Sequence, residues 1–583
     1  MAQTTEIRRE QRVYNNESTR KAEKFVADLR ENVIGKSGTF DSAASNDFLV
    51  SAQSQNATPL PESIQAILDE VSPKDASRIT RAILDGAAHY EAEHGVSVPA
   101  DIMEYAMHMA YGTTNHAKKI ISNSITLDSA SNVHADNLSL QPNRAVVAIL
   151  AAMNDAIPFA LYLPADISSN EARTAILSHQ AGATYGMYQT NGLLDGANSG
   201  MPYLTPSRRI GLTVTANAIP AGQLSSTQTG LLTCGTVGST NPDGSSVAAV
   251  PLLRGRSLIY IGGQIVGGEA TNNQSGTGNS NMSGTVTIAG TTYTISGTIN
   301  TTTGAIALTS SGGTSGLPNG TVVVVEGFID YEAQPLLTPN IISNATVYQL
   351  FAKPWRVVTQ YSPDASTQMN NELGLDPYSE SLIAIQNQFT SERHYEVLAK
   401  GLLLGANNTA SYDFMWASGM NQGAQKTRAM IVQDMQGILS ALSQQMAINT
   451  MAYGISHLYV DQYMAGIFQS LPSEMWEGSG VQVRPGIYRV GRLFNQYEVY
   501  YAPKVVPAYS GGTSAILCFG RAPDVTRNPF ILGDAVPPTV IPLGVGTDLR
   551  RGAGFYARNF TDVNPHLPSS LGCAILTVQD IGL

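Results

Sequence analysis

From Thr271 to Val325 there is not one Asp, Glu, Lys or Arg. Within that stretch GTVTIAGTTYTISGTINTTTGAIALTS alternates Thr, Val, Ile and Tyr around Gly-centred turns. The turns recur at intervals typical of a small sandwich or barrel. Gly/Ser/Thr bias also marks disordered linkers, but the β-branched alternation favours a folded module. Only NNQSGTGNSNMSG, residues 272–284, is expected as a mobile loop, and TVVVVEGF (Thr321–Phe328) as a buried closing strand. The flanks of this block differ from it in every respect.

Of the 583 residues, 43% are hydrophobic and only 14% charged, against about 25% in an average protein. At about 150 residues per domain the length suggests roughly four domains. A surface so poor in charge points to extensive subunit contact, because interface cores are depleted of charge. A net charge of −11 and a pI near 5.3 speak against a large nucleic-acid-binding surface. Cys234, Cys518 and Cys573 form no CxxC pair, which excludes a disulfide framework or cysteine-rich zinc site. The N-terminus lacks the apolar core of a secretory signal. The longest apolar run, Ala145–Met153, is too short to cross a bilayer. A cytoplasmic product is expected.

Residues 1–115 are rich in charge and helical pattern. Ile64, Ile67, Leu68 and Val71 form one stripe, and Ile79, Ile83, Ala87 and Tyr90 another. Glu17–Glu31 reads as an arm or solvated helix, and Ser51–Pro61 as a linker. Beyond 116, Ile157–Leu163 reads as a strand, and Asn191-Gly192 and Asp195-Gly196 as hairpin-type turns. Val347–Pro363 is a strand pair or one long bent strand. The best-marked helix is Asp376–Gly405, with Asp376 as N-cap, Pro377 at the first position and Glu380 in the first turn. Its apolar face runs through Leu382, Ile385 and Phe389, is interrupted at Glu392, and resumes at Tyr395, Leu398 and Leu402. Gly401 and Gly405 mark its exit. A second long helix spans Thr427–Asn449, with Ile431, Met435, Ile438, Leu439 and Leu442 on one face. Helices set among mixed strands without regular βα alternation make the chain α+β.

No catalytic, cofactor-binding or metal-ligating residue is assigned. Gly35-Lys36-Ser37 has Arg30 where a phosphate loop needs glycine. Gly552 and Gly554 lack the strand–turn–helix context of a dinucleotide site. His89, His94, His108 and His116, with Glu91 and Glu93, lack the i, i+4 pairing of a helical zinc site; solvated or half-buried histidines are expected. His457 reads as a hydrogen-bonded core residue. Glu392 and Glu396, on adjacent turns of one helix, cannot flank a glycosidic bond; with Arg393 they are expected to ion-pair to a neighbouring element. Trp355, Arg356 and the Tyr488–Tyr501 aromatics lack the accompanying basic residues of a nucleic-acid platform.

Taken in order, the strand VYQLFAKPWRVVTQYS, the long helix ending LLGAN (Leu403–Asn407), HLYVDQYMAGIFQSL, the hairpin RVGRLFNQYEVYYAP and the penultimate strand GAGFYARNF resemble the major capsid proteins of tailed bacteriophages with the Hong Kong 97-type fold. The likeness is to the larger members with an inserted domain, and covers roughly 144–212 and 347–583. It implies an N-terminal helical arm or retained scaffold-like extension (1–115), a peripheral domain with extended loop (116–212, 336–420 with the spine helix, and 530–562), an inserted β-sandwich-like domain (213–335), and an apical domain (421–529 and 563–583). It implies no enzyme and no cofactor. The expected function is a structural virion protein that self-assembles as hexamers and pentamers into an icosahedral shell around double-stranded DNA. Portal, scaffold and decoration or cement proteins are the expected partners, with assembly in the host cytoplasm and no membrane. Leu68-Asp69-Glu70 resembles the family's hydrophobic-x-Glu cleavage site. Lys353 lies near the extended loop without a marked Asn partner, so no crosslink is expected. The alternatives are an encapsulin-type cargo shell, and a β-rich tail or adhesion protein that would not need two long helices.

Overall fold

The computed structural model describes residues 73–95, 157–163, 171–228, 249–270, 278–313, 316–373, 377–416, 422–507, 509–523, 525–543 and 550–582, with 24, 28, 98, 99, 102, 103, 105 and 106. The expectations for Gly35-Lys36-Ser37, Ser51–Pro61, Ile64–Val71, Leu68-Asp69-Glu70, His108, His116, Ala145–Met153 and Asp376 fall outside these residues, as does nearly all of Glu17–Glu31. Two compact units emerge, one of 1–175 with 347–583 and one of 176–346.

Helix α1 (Pro73–His94) starts on a proline, whose missing N–H has no intrahelical partner to lose. Ile79, Ile83, Ala87 and Tyr90 are all buried along one face. Ile79, Ile83, Leu84 and Ala87 enter the same core cluster as Val397, Leu398, Tyr459 and Phe519. Helix α1 therefore packs into a core and is not a free arm, because its apolar stripe is completed by residues more than three hundred positions away in sequence. Strand β1 (Leu161–Tyr162) is shorter than expected, since Ala160 N donates to Ile157 O at 3.1 Å and turns the preceding residues. Strand β2 (Glu171–Ala181) carries the chain into the second unit.

The body of that unit is one eight-stranded antiparallel sheet. Its strands are β3 (Ser207–Thr213), β4 (Gly222–Gln223), β5 (Leu258–Ile261), β6 (Gln264–Glu269), β7 (Asn279–Ile288), β8 (Thr291–Asn300), β9 (Ala305–Ser311) and β10 (Val322–Phe328), in the order β3-β10-β5-β6-β7-β8-β9-β4. The edges return to each other: a Cβ on Gly222 of β4 would lie 2.6 Å from Leu212 Cδ2 of β3. Of the sandwich and the barrel expected, the sheet is thus barrel-like. Alternate residues such as Ile295, Ile299, Ile306, Leu308, Val323 and Val325 fill one core. The unit extends beyond 213–335 because β3 pairs with β10 along its whole length and Tyr185, Tyr188 and Tyr203 pack into that core. Half of the expected loop 272–284 is instead strand, as β7 pairs with β8 from Asn279 onward.

Two buried charged residues hold one flank of this sheet. Glu326 accepts hydrogen bonds from Arg209 Nε (2.9 Å), from the Tyr260 hydroxyl (2.6 Å) and from Ser207. Burial alone would raise its carboxyl pKa, but these donors hold it below the usual value. Arg208 is fully buried and spends its guanidinium on the carbonyls of Ser226, Thr205 and Ser207, each at 2.7 Å.

The chain leaves through β11 (Ile341–Phe351) and β12 (Lys353–Tyr361). β11 pairs with β2 and β12 with β20 (Arg551–Val563), so the expected bent strand breaks at Ala352 to serve two partners. A short helix α2 (Pro363–Gln368) precedes α3 (Pro377–Gly405), followed by β13 (Thr409–Asp413) and α4 (Arg428–Thr450). Then come β14 (Ile455–Val460), α5 (Gln462–Gln469), β15 (Trp476–Gly478), β16 (Tyr488–Leu493), β17 (Tyr497–Tyr501) and β18 (Ser514–Gly520). β19 (Phe530–Leu543), β20, α6 (Leu567–Ser570) and β21 (Cys573–Gln579) end it. One mixed sheet has the order β13-β21-β18-β14-β17-β16-β15, and a second the order β1-β19-β20-β12. Mixed parallel and antiparallel pairing with inserted helices is α+β architecture.

Local chemistry sets several of these elements. Asp461 caps α5 by accepting from Met464 N at 2.8 Å. Phe494 and Asn495, with φ of 52° and 54°, make the tight β16–β17 turn. α4 buries Ile431, Met435, Leu439, Leu442 and Met446 against the seven-stranded sheet. Ile438, expected on that face, is 37% exposed, one step round the helix from it.

Candidate assembly surfaces

α3 positions everything at the second sheet. Its buried face does not stop at Glu392. Phe389 is followed by Arg393, which is 1% exposed, and then by Val397 and Leu398. The stripe runs at i, i+4 through an arginine that sequence periodicity counts as polar. Arg393 NH1 lies 3.3 Å from Asp534 of β19, and its Nε donates to Thr561 Oγ1 of β20 at 3.2 Å. The Tyr105 hydroxyl donates to the same Asp534, and burial beside that carboxylate drives the phenol pKa well up. Gly401 belongs to the helix body: a Cβ there would lie 2.3 Å from the Phe519 ring. Glycine here permits close approach to the sheet and does not end the helix.

The other charges near α3 are paired at its surface. Glu396 meets Lys400 on the same helix at 2.7 Å, and Lys400 reaches Asp562 at 3.7 Å. Lys353 Nζ is 2.5 Å from Asp562. Of the expected inter-element pair Glu392 and Glu396, the second is thus taken by its own helix and the first is exposed; of the three residues 392, 393 and 396 it is Arg393 that bridges to another element. Trp355 stands edge-on to Phe389 at 5.2 Å, and Arg356 lies over Tyr556 at 5.7 Å. Both belong to strand packing.

β12 is an edge strand, and its two valines are not covered. Val358 is 60% exposed and Val357 45%, on opposite faces of the strand, and Phe351 and Val347 at the end of β11 are each 60% exposed. An apolar segment exposed on both faces beside an open sheet edge is a template for association. The signal was present in VYQLFAKPWRVVTQYS, where apolar residues occupy both parities. Such a pattern reads as a strand buried on both faces, and only the structure leaves it uncovered.

Three histidines lie close to the main core, His94 and His457 buried and His394 half-buried. His94 at the end of α1 lies tilted against the Tyr90 ring, with centroids 4.2 Å apart, and 3.4 Å from the Tyr500 hydroxyl. His394 of α3 meets the Tyr459 hydroxyl at 3.0 Å, and His457 Nδ1 meets Ser456 Oγ at 2.8 Å. Burial lowers each from 6.5 to about 3, helped at His94 and His457 by nearby arginines. His94 is therefore neither solvated nor half-buried, whereas His89 is exposed. Among the described residues no group of three His, Cys, Asp or Glu side chains could hold a metal ion.

No protein-family model matches the chain, and no curated protein does. Similar solved structures include the capsid of jumbo bacteriophage PhiKZ, at 8% identity and TM-score 0.35, covering 72% of this chain and 91% of that one. The capsid of Myoviridae phage XM1 covers 41% of this chain and 78% of its own, at 11% identity and TM-score 0.26. The SrpI encapsulin of Synechococcus elongatus covers 42% and 79%, at 13% identity and TM-score 0.27. Scores of this size leave the functional reading to the chain's own geometry.

Proposed function

We propose that the chain is the major capsid protein of a tailed bacteriophage with the Hong Kong 97-type fold, assembling as hexamers and pentamers into an icosahedral shell around double-stranded DNA. The observation that carries the reading is the open, apolar β12 edge beside the 29-residue helix α3. A lone soluble protein gains nothing by exposing Phe351, Val357 and Val358, whereas a neighbouring copy can bury them, each fully buried side chain contributing about 1.5–3 kcal/mol. Many such modest contacts close a shell under point-group symmetry. On this reading α3, β12, β19 and β20 belong to a peripheral domain, and α4, α5 and the seven-stranded sheet to an apical one. The 176–346 unit is the insertion. A chain of net charge −11 would hold packaged DNA only weakly, leaving it free to enter and leave. Portal, scaffold and cement proteins would be its partners in the virion, and assembly would take place in the host cytoplasm.

The test is a double substitution, Phe351→Lys with Val358→Lys. Both side chains are exposed, so thermal unfolding should stay within about 0.5 kcal/mol of the parent. Shell yield by sedimentation should fall at least tenfold. Unchanged yield would remove the β11 end and the β12 edge from the assembly contacts.

A further inference from the structure

Helix α4 buries one side and leaves the other almost without charge. Arg428 and Asp434 are its only charged residues, and 435–450 holds none. A surface helix normally sets charged residues opposite its apolar stripe. Here the outward side carries Met430 at 52% exposed and Ile448 at 53%, with exposed Gly437 and Ala441 between them. Helix geometry places these four in one strip, at i, i+7, i+11 and i+18, directly opposite the fully buried Leu439. Gly437 has no reason inside the chain to be glycine. A Cβ there would meet nothing within 4 Å among the described residues, whereas at Gly401 and Gly405 of α3 it would lie 2.3 Å from Phe519 and 2.8 Å from Ile575. Mid-helix glycine costs stability relative to alanine, and its use is to let another element come close.

We propose that this strip pairs antiparallel with the same strip of a second copy of this chain, about a two-fold axis at the level of Leu439. The residues such an axis brings together match in kind. Nine positions either side of 439, Met430 meets Ile448, apolar on apolar. Six either side, Gln433 meets Gln445, whose Nε2 already donates to Asn449 at 3.1 Å and whose carbonyl accepts from the incoming amide. Five either side, Asp434 meets Gln444; Lys426 holds one carboxylate oxygen at 2.7 Å, and the amide donates to the other. Two either side, Gly437 meets Ala441 and lets the helix axes approach. All of these residues are exposed. The two Asp434 stand about 15 Å apart along the pair at 1.5 Å per residue, so no like charges meet, and an isologous contact of this kind closes on itself.

The strip from Met430 to Ile448 is about 27 Å long and about 10 Å wide, roughly a third of the ~800 Å² per partner of a stable interface. The contact is therefore weak alone and acts together with others. It goes beyond the shell reading and does not depend on it.

The experiment is cysteine crosslinking of the full-length chain with a short bismaleimide, with circular dichroism to check that every variant is folded. Positions 430 and 448 are about 27 Å apart in one copy but face each other across the pair. Met430→Cys/Ile448→Cys should therefore give crosslinked dimer as the main product, and neither single variant more than the parent. Adding Gly437→Lys/Ala441→Lys to the double-cysteine chain should lower the crosslinked fraction at least tenfold with the circular dichroism unchanged. A double-cysteine chain that stays monomeric would overturn the pairing, as would single variants that crosslink equally or crosslinking that survives the two lysines. Electron microscopy of the parent separates the two readings. Shells without crosslinked dimer would leave the shell and remove the pair, and dimer without shells would do the reverse.

Discussion

Acidification from pH 7 should unfold the main unit before pH 3 is reached, with a slope that counts three protons. His94, His394 and His457 are neutral in the folded core with pKa about 3, against 6.5 when exposed. Above pH 6.5 neither state binds these protons, so the groups contribute nothing to the pH dependence. As pH falls below 6.5 the unfolded chain takes them up and the folded chain does not. Stability should therefore drop by about 4 kcal/mol per pH unit, roughly 1.4 for each histidine. A total stability of about 5–15 kcal/mol is exhausted within a few units on that slope. Arg484, Arg489 and Arg521 oppose protonation, and the Glu498 carboxylate, in register with His457, is already paired to Arg489 and Arg492. The 176–346 unit should outlast the main one. Among its described residues, Glu269 and Glu326 are both held below the usual carboxyl value by hydrogen bonds that outweigh burial. Their stabilisation is present at neutral pH and lost only as pH falls through those lowered values. Urea unfolding at stepped pH checks this. Replacing any one histidine by Gln should remove about a third of the slope, and an unchanged slope would refute the assignment.

Asp534→Ala should cost about 3–5 kcal/mol, the range for removing one partner of a buried ion pair. The guanidinium of Arg393 stays 1% exposed in the folded chain, and the substitution takes away its carboxylate and the acceptor of the Tyr105 hydroxyl. Replacing the pair together, Arg393→Met with Asp534→Leu, should recover most of that loss, because apolar residues of similar volume avoid the desolvation of both charges. Denaturant melts of the single and double variants give the comparison. A single variant within about 1 kcal/mol of the parent would mean that the bridge is not the tie between α3 and β19.

Where sequence predicted well, the cause was local. α3, α4, the β14–α5 step and the β16–β17 hairpin each follow from caps, turns and spacing within a few residues. Where it failed, the deciding partner was distant. Periodicity could not pass through Arg393, because the partners that make burial of that charge tolerable, Asp534 and Thr561, are distant in sequence. The helical pattern at Ile79–Tyr90 was visible, but its destination was not, since the other half of that core comes from Val397 and Tyr459. The barrel-like sheet was legible as strands and turns, while the pairing of β3 with β10 that widens the unit is a long-range register. The exposed apolar edge at β11 and β12 was the least legible feature. Exposure of Phe351, Val357 and Val358 is a property of what does not pack against them.

Electron microscopy of the full-length chain expressed alone or with a scaffold tests the central claim most directly. Closed shells, or rings of five and six copies, are the predicted result. Only monomers or thin fibres, from protein whose circular dichroism shows it folded, would contradict it.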